Sequence, residues 1–335
     1  MRVVAALAAG LLGTALVAQA PVVRRPPQMD GPQAPSSDDH DAPGTQAPVA
    51  KEGTIRVQSR LVNVAVNVVD ETGAPVGGLG RDDFEVLEDG KPQKIAVFEK
   101  DSSTPLEIVL AIDASMSVFG DERLEHDAAK HFVNALLRPQ DQLDLMSFAD
   151  QVREIVPFTN DKKRIERGLG EIEHGDETAM YDAIYLGSEA LAGTRQDSGQ
   201  RRVMVLITDG VDTAQKTNYT HAVEQAQRAA TMVYSIIVVP VDADAGRNTG
   251  GEHALIQMAR DTGGKFYYVE DPRDLEPAFA HVSDDLRTQY LLGYYAPQQH
   301  KGDSPFRRIT VKLKDPALAA KYRLRYRTGY YGDAL

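Results

Sequence analysis

From Leu61 to Asp70 the chain reads LVNVAVNVVD, with Val62, Val64, Val66 and Val68 set against Asn63, Ala65 and Asn67. This two-residue period predicts a strand with one face in a core. ETGAPVGGL follows as a turn, and DFEVLEDGKPQKIAVFEK predicts two short strands around Asp89-Gly90, a strong hairpin signal. Beyond residue 105 the period changes. LEIVLAID is an unbroken apolar strand, and ERLEHDAAKHFVNALL places Leu124, Ala128, Phe132, Val133 and Leu136 at helical spacing. DQLDLMSF, RRVMVLITD, VYSIIVVPVD and KFYYVED are further strands. Helical patterns over DKKRIERGLGEI, AMYDAIYLGSEAL, YTHAVEQAQRAATM, EHALIQMARDTGG and PRDLEPAFAHVSDDLRT lie between and after them. After Arg287 the β pattern returns in QYLLGYYAP, FRRITVKLKD and YRLRYRTGYY.

Apolar strands alternating with amphipathic helices predict an α/β domain over residues 104–288. Its sheet is doubly wound and mostly parallel, Rossmann-like, with helices on both faces. The β pieces at 54–103 and 289–335 are each too small to stand alone. They are expected to pair into one smaller all-β sandwich with the α/β domain inserted between them, which places the two junctions close in space.

The N-terminus changes the picture of where the chain works. Arg2, the apolar run VVAALAAGLLGTALVA and Ala18-Gln19-Ala20 read as a cleaved signal peptide over residues 1–20. The run is short for a spanning helix, and no later segment is long and apolar enough to cross a bilayer. Residues 21–53 are rich in Pro, Ser, Asp and Gln and read as a disordered linker. The expectation is an exported protein, periplasmic, cell-surface or secreted. With no cysteine in the chain, no disulfide supports it there.

The formal net charge of −12 argues against nucleic acid as a partner. The charge is uneven: residues 289–335 hold nine Lys/Arg and three Asp/Glu, a net of +6, which leaves −12 − 6 = −18 for the rest. Arg323, Arg325 and Arg327 alternate with Tyr322, Leu324 and Tyr326. The ordinary reading of that alternation is a solvated strand face; an acidic partner is the less favoured one.

The chemistry concentrates at one end of the predicted sheet. Asp113, Ser115 and Ser117 follow the first core strand, Asp209 follows the strand ending in LIT, and Thr178 lies in the loop entering a helix. Ligands bind beyond the carboxyl ends of such strands. Taken alone, the two serines read best as helix caps. A serine nucleophile needs a histidine base, yet the eight histidines lie in tails and on helices, and Gly-x-Ser-x-Gly is absent. An aspartyl-phosphate mechanism wants a second acid where Ser115 stands. Enzymatic activity is therefore not expected. Two carboxylates and three hydroxyls are hard oxygen donors that suit Mg²⁺, with Mn²⁺ or Ca²⁺ as alternatives, and they leave a coordination position open. Asp212 reads as an exposed loop acid.

Asp-x-Ser-x-Ser after the first strand, a Thr in a later loop and Thr-Asp-Gly after a core strand resemble the von Willebrand factor A domain and its metal-ion-dependent adhesion site. The resemblance spans roughly residues 106–288. It implies a cation bound by Ser115, Ser117 and Thr178, with Asp113 and Asp209 acting largely through water. It also implies another protein as partner, which supplies a Glu or Asp to the metal. The flanking pieces are similar to those of exported bacterial proteins of a von Willebrand A-related type common in Acidobacteria. The expected function is thus metal-dependent protein binding in adhesion or envelope assembly. A metal-stabilised structural module comes second, and a Mg²⁺-dependent hydrolase is a distant third.

Overall fold

The computed structural model describes residues 22–24, 60–100, 104–115, 122–194, 200–214, 216–239, 249–298 and 304–334. In chain order the first eight strands are β1 (Val22–Arg24), β2 (Leu61–Val69), β3 (Phe84–Glu88), β4 (Lys91–Gln93), β5 (Ile95–Glu99), β6 (Leu106–Asp113), β7 (Gln142–Phe148) and β8 (Val152–Thr159). The rest are β9 (Arg201–Thr208), β10 (Thr231–Val238), β11 (Phe266–Val269), β12 (Tyr290–Tyr295), β13 (Phe306–Leu313), β14 (Arg323–Arg325) and β15 (Gly329–Tyr331). The helices are α1 (Glu122–Leu136), α2 (Lys162–Leu169), α3 (Met180–Gly193), α4 (Tyr219–Arg228), α5 (Thr249–Thr262), α6 (Leu275–Arg287) and α7 (Pro316–Lys321).

Seven strands form one sheet in the order β1-β8-β7-β6-β9-β10-β11. Strands β7, β6, β9, β10 and β11 run parallel, and β8 and β1 pair antiparallel at the edge. This is the doubly wound fold that the alternating pattern predicts. LEIVLAID is apolar throughout because both of its faces are covered. Leu106, Ile108, Leu110 and Ile112 pack under α1, α2 and α6, with Phe132 stacked on Phe279 at 4.5 Å. Val109 and Ala111 pack under α3, α4 and α5.

Two features of the sheet lie outside the sequence pattern. Strand β8, VREIVPFT, carries two charges and a proline, so it lacks the apolar run that marks its neighbours. It buries only Val152 and Val156. Val22–Arg24, within the stretch read as a linker, pairs with Val152–Glu154 of β8. The signal peptide at residues 1–20 and the remainder of the linker lie outside the described residues.

The other strands build two four-stranded antiparallel sheets, β14-β2-β12-β5 and β15-β13-β3-β4. Each takes strands from both sides of the α/β domain, so neither flanking piece forms a sheet by itself. Val62, Val64, Val66 and Val68 point into the shared core with Phe84, Val86, Leu292, Tyr294, Ile309 and Val311. Asp89 (φ 48°) and Gly90 (φ 78°) both take left-handed backbone, which matches the type I′ turn favoured between β3 and β4. YRLRYRTGYY, read as one strand, is split: β14 joins one sheet and β15 the other.

The polar face of β2 and the basic residues of β14 are where the α/β domain rests. Asn67 donates to the Asp285 carbonyl (2.9 Å) and accepts from Gln289 (2.7 Å). Arg325 pairs with the buried Asp285 carboxylate at 2.9 Å, and Arg327 donates to the Asn63 carbonyl at 2.7 Å. Of the alternating arginines, Arg325 therefore joins the two units, Arg327 is buried within the sandwich and Arg323 stays exposed. Arg201, at the start of β9, donates to the Leu286 carbonyl and to Gln289 Oε1, each at 2.7 Å, and approaches the Thr104 carbonyl at 3.5 Å. One buried guanidinium thus touches the chain where it enters the α/β domain and where it leaves it.

Candidate functional site

In this sheet the winding reverses between β6 and β9, the switch point beyond whose carboxyl ends open α/β sheets bind their ligands. Asp113 is the last residue of β6, and Asp209 follows the last residue of β9. Parallel pairing of Ile112 with Ile207 sets those two ends side by side. The Asp113 carboxylate is 3 % exposed. It accepts the Ser115 N–H at 3.0 Å and the Thr208 hydroxyl at 2.6 Å, and the Ser115 side chain hydrogen-bonds it as well. Burial nevertheless pushes its pKa up to about 7, and the like charge of Asp209 adds to the rise. Asp209 is buried too, with one carboxylate oxygen accepting the Val211 N–H at 3.0 Å.

Gly210 permits the turn after Asp209. Its φ is +83°, and a Cβ there would meet the Glu252 nitrogen and the Gly251 carbonyl carbon at 3.2 Å each. Its N–H donates to the Thr208 hydroxyl oxygen at 3.1 Å, so Thr208 joins the β9 turn to the β6 acid.

Thr178 arrives from the segment before α3 and is buried. The residue at the N-cap of α3 is Ala179, so Thr178 does not cap that helix. Its N–H donates to Thr213 Oγ1 at 2.8 Å, and its carbonyl accepts from the N–H groups of Thr213 (3.0 Å) and Ala214 (3.2 Å). The segment also runs beside the end of β6: Ser115 bridges to Gly175, and the Gly175 N–H donates to the Ala114 carbonyl at 3.1 Å. The fold thus sets Asp113, Ser115 and Asp209 at the ends of β6 and β9, with the segment that carries Thr178 beside Ser115 and tied to the loop after Asp209. Ser117, the fifth residue of the pattern, lies outside the described residues.

Several residues here escaped the sequence reading. Thr208 was visible within Thr-Asp-Gly, yet its bond to Asp113 depends on the neighbouring strand. Asp212 is a half-buried acid, not an exposed one, and accepts the Tyr181 N–H in the first turn of α3 at 3.2 Å. Asp150 and Thr213 hold the Thr178 segment. Each follows the carboxyl end of a strand, the only sequence signal they carry.

The donor chemistry fits a hard divalent cation. Asp113 and Asp209 are two buried carboxylates that repel each other, an arrangement that is costly unless a cation compensates it. Among the described residues no three His, Cys, Asp or Glu side chains gather, so the remaining donors are hydroxyls. Such a set favours Mg²⁺ over zinc.

The structure resembles bacterial proteins already solved. The conserved hypothetical protein BatB from Bacteroides thetaiotaomicron is 20 % identical, with a TM-score of 0.41 over 54 % of this chain and 97 % of that one. The von Willebrand factor domain of the type V pili tip protein Mfa5 from Porphyromonas gingivalis is 14 % identical, with a TM-score of 0.45 over 55 % and 96 %. The pilus adhesin SpaC from Lactobacillus rhamnosus GG, 11 % identical, aligns over 77 % of this chain and 48 % of its own, with a TM-score of 0.46. No curated protein matches the sequence. The family model of the von Willebrand factor type A domain matches residues 107–281, just over half of the 335 residues. The chain belongs to the von Willebrand factor type A domain family.

Proposed function

We propose that this is an exported, non-enzymatic protein-binding module of adhesion or envelope assembly. In this reading Asp113, Ser115, Ser117, Thr178 and Asp209 hold Mg²⁺, or Mn²⁺ or Ca²⁺ in its place. The observation that carries the proposal is the pair of buried, mutually repelling carboxylates ringed by hydroxyls at the switch point of the sheet. A bound divalent cation supplies an acceptor position for a carboxylate oxygen. The chain's own residues do the remainder. Asp113 and Asp209 balance the cation's charge. Ser115 and Thr178 fill its shell without adding negative charge, so an incoming Glu or Asp of a partner protein is not repelled. The loops at 174–178 and 210–218 frame the site and select that partner.

The test is capture of a partner from the envelope fraction on immobilised protein. Capture is expected in Mg²⁺ and lost in EDTA and with Asp113→Ala. A partner retained equally in EDTA contradicts the proposal. Lowered thermal stability in EDTA with no partner under any condition favours a structural metal instead.

A further inference from the structure

Asp113 and Asp209 stand at the ends of core strands, and the ladders of β6 and β9 fix them. Thr178 has no such support. It lies in the connection between α2 and α3, and its position relative to the two acids must come from elsewhere. The backbone hydrogen bonds show from where. Every N–H from Gly175 to Ala179 is accepted by another segment. Gly175 donates to the Ala114 carbonyl at 3.1 Å, and Ala179 donates to the Ala149 carbonyl at 2.8 Å. Between them Asp150 Oδ1 accepts the N–H groups of Asp176 (3.1 Å) and Glu177 (2.7 Å). Thr213 takes the next one, from Thr178 itself, and returns its own N–H to the Thr178 carbonyl at 3.0 Å.

These two side chains tie the segment to different strands. Asp150 sits in the turn after β7, and Lys216 Nζ holds its carbonyl at 2.7 Å. Gly175 lies so close to this turn that a Cβ on it would meet Ala149 Cβ at 2.8 Å and the Asp150 carboxylate at 3.1 Å. Thr213 lies four residues beyond Asp209, so its two bonds clasp the Thr178 peptide directly to the loop that carries the second acid.

We propose that Asp150 and Thr213 are positioning residues of the cation site, setting its affinity by fixing Thr178 against Asp113 and Asp209. The inference rests on the metal reading above. Both residues act through an acceptor oxygen that orders backbone, and neither contributes charge to the cation. Supporting groups of this kind typically change metal affinity by about 10- to 100-fold when removed.

The test is Mg²⁺ titration by calorimetry on the full chain, with Asp113→Ala as the reference for a destroyed site. Asp150→Ala and Thr213→Val remove the acceptor and are expected to weaken Mg²⁺ by about tenfold or more. Asp150→Asn and Thr213→Ser keep an acceptor oxygen at the same place and are expected to stay within about threefold of the unaltered protein. Hydrogen exchange at the amides of residues 176–178, in EDTA, provides a readout that needs no metal. It is expected to accelerate in Asp150→Ala and to stay slow in Asp150→Asn.

Unchanged Mg²⁺ affinity in Asp150→Ala and Thr213→Val overturns this inference while the metal reading stands. Affinity lost as fully in Asp150→Asn as in Asp150→Ala assigns the effect to charge and also overturns it. No Mg²⁺ binding by the unaltered protein overturns the metal reading and this inference together.

Discussion

At the scale of single residues, the site depends on a few atoms held where water is scarce. Asp113 has a pKa of about 7 in the folded protein without metal, raised chiefly by burial, against about 4 for an unfolded aspartate. The folded state therefore binds the proton more tightly than the unfolded one. That stabilisation is complete below about pH 4 and is lost as the pH rises through about 7, up to about 4 kcal/mol in all. In EDTA the melting temperature should fall across this window, and Asp113→Asn should flatten the fall. Saturating Mg²⁺ should offset it as well, because the cation compensates the ionised carboxylate. Gly210 yields a second prediction at this scale. Gly210→Ala forces a Cβ into left-handed backbone and against the Glu252 nitrogen, so it should cost about 1–3 kcal/mol in urea unfolding.

At the scale of elements, the contrast between β6 and β8 shows what a sequence can and cannot reveal. Strand β6 is buried on both faces, so its apolar run was legible, as were the helices whose stripes cover it. Strand β8 lies between β1 and β7 with its charged residues only partly covered, and its antiparallel pairing with β7 leaves no such mark. The site divides in the same way. Asp113, Ser115 and Asp209 stand at strand ends, as the sequence pattern predicts, while Thr178 lies in the connection before α3. Thr208, Asp150 and Thr213 were not legible, because their role is a hydrogen bond to a distant segment, and single residues carry no trace of that. Arg325 of β14 misled for a related reason. Alternation marks a face that is not core, but it does not say whether water or another unit covers it. Arg201 is the test of that unit contact. Arg201→Met removes bonds to Leu286 and Gln289 and leaves buried acceptors unpaired, so it should destabilise by about 3 kcal/mol. Calorimetry should then resolve separate transitions for the α/β domain and the sandwich, where the unaltered protein is expected to show one.

For the whole molecule, the arrangement puts the candidate site at one end of the α/β sheet and the sandwich contact on its flank through β2, β14 and α6. Both junctions of the inserted domain lie at that contact, at the opposite ends of β6 and β9 from Asp113 and Asp209. The basic C-terminal segment meets the acidic α/β domain in the ion pair of Arg325 with the buried Asp285. The proposed function requires a divalent cation held by Asp113, Ser115, Ser117, Thr178 and Asp209. Isothermal calorimetry of the chelator-stripped protein with MgCl₂ is the direct measurement. One saturable site per chain is expected, weakening as the pH falls below about 7 because Asp113 must release its proton, and absent in Asp113→Ala. No saturable heat in the unaltered protein, or equal binding in Asp113→Ala, would contradict it.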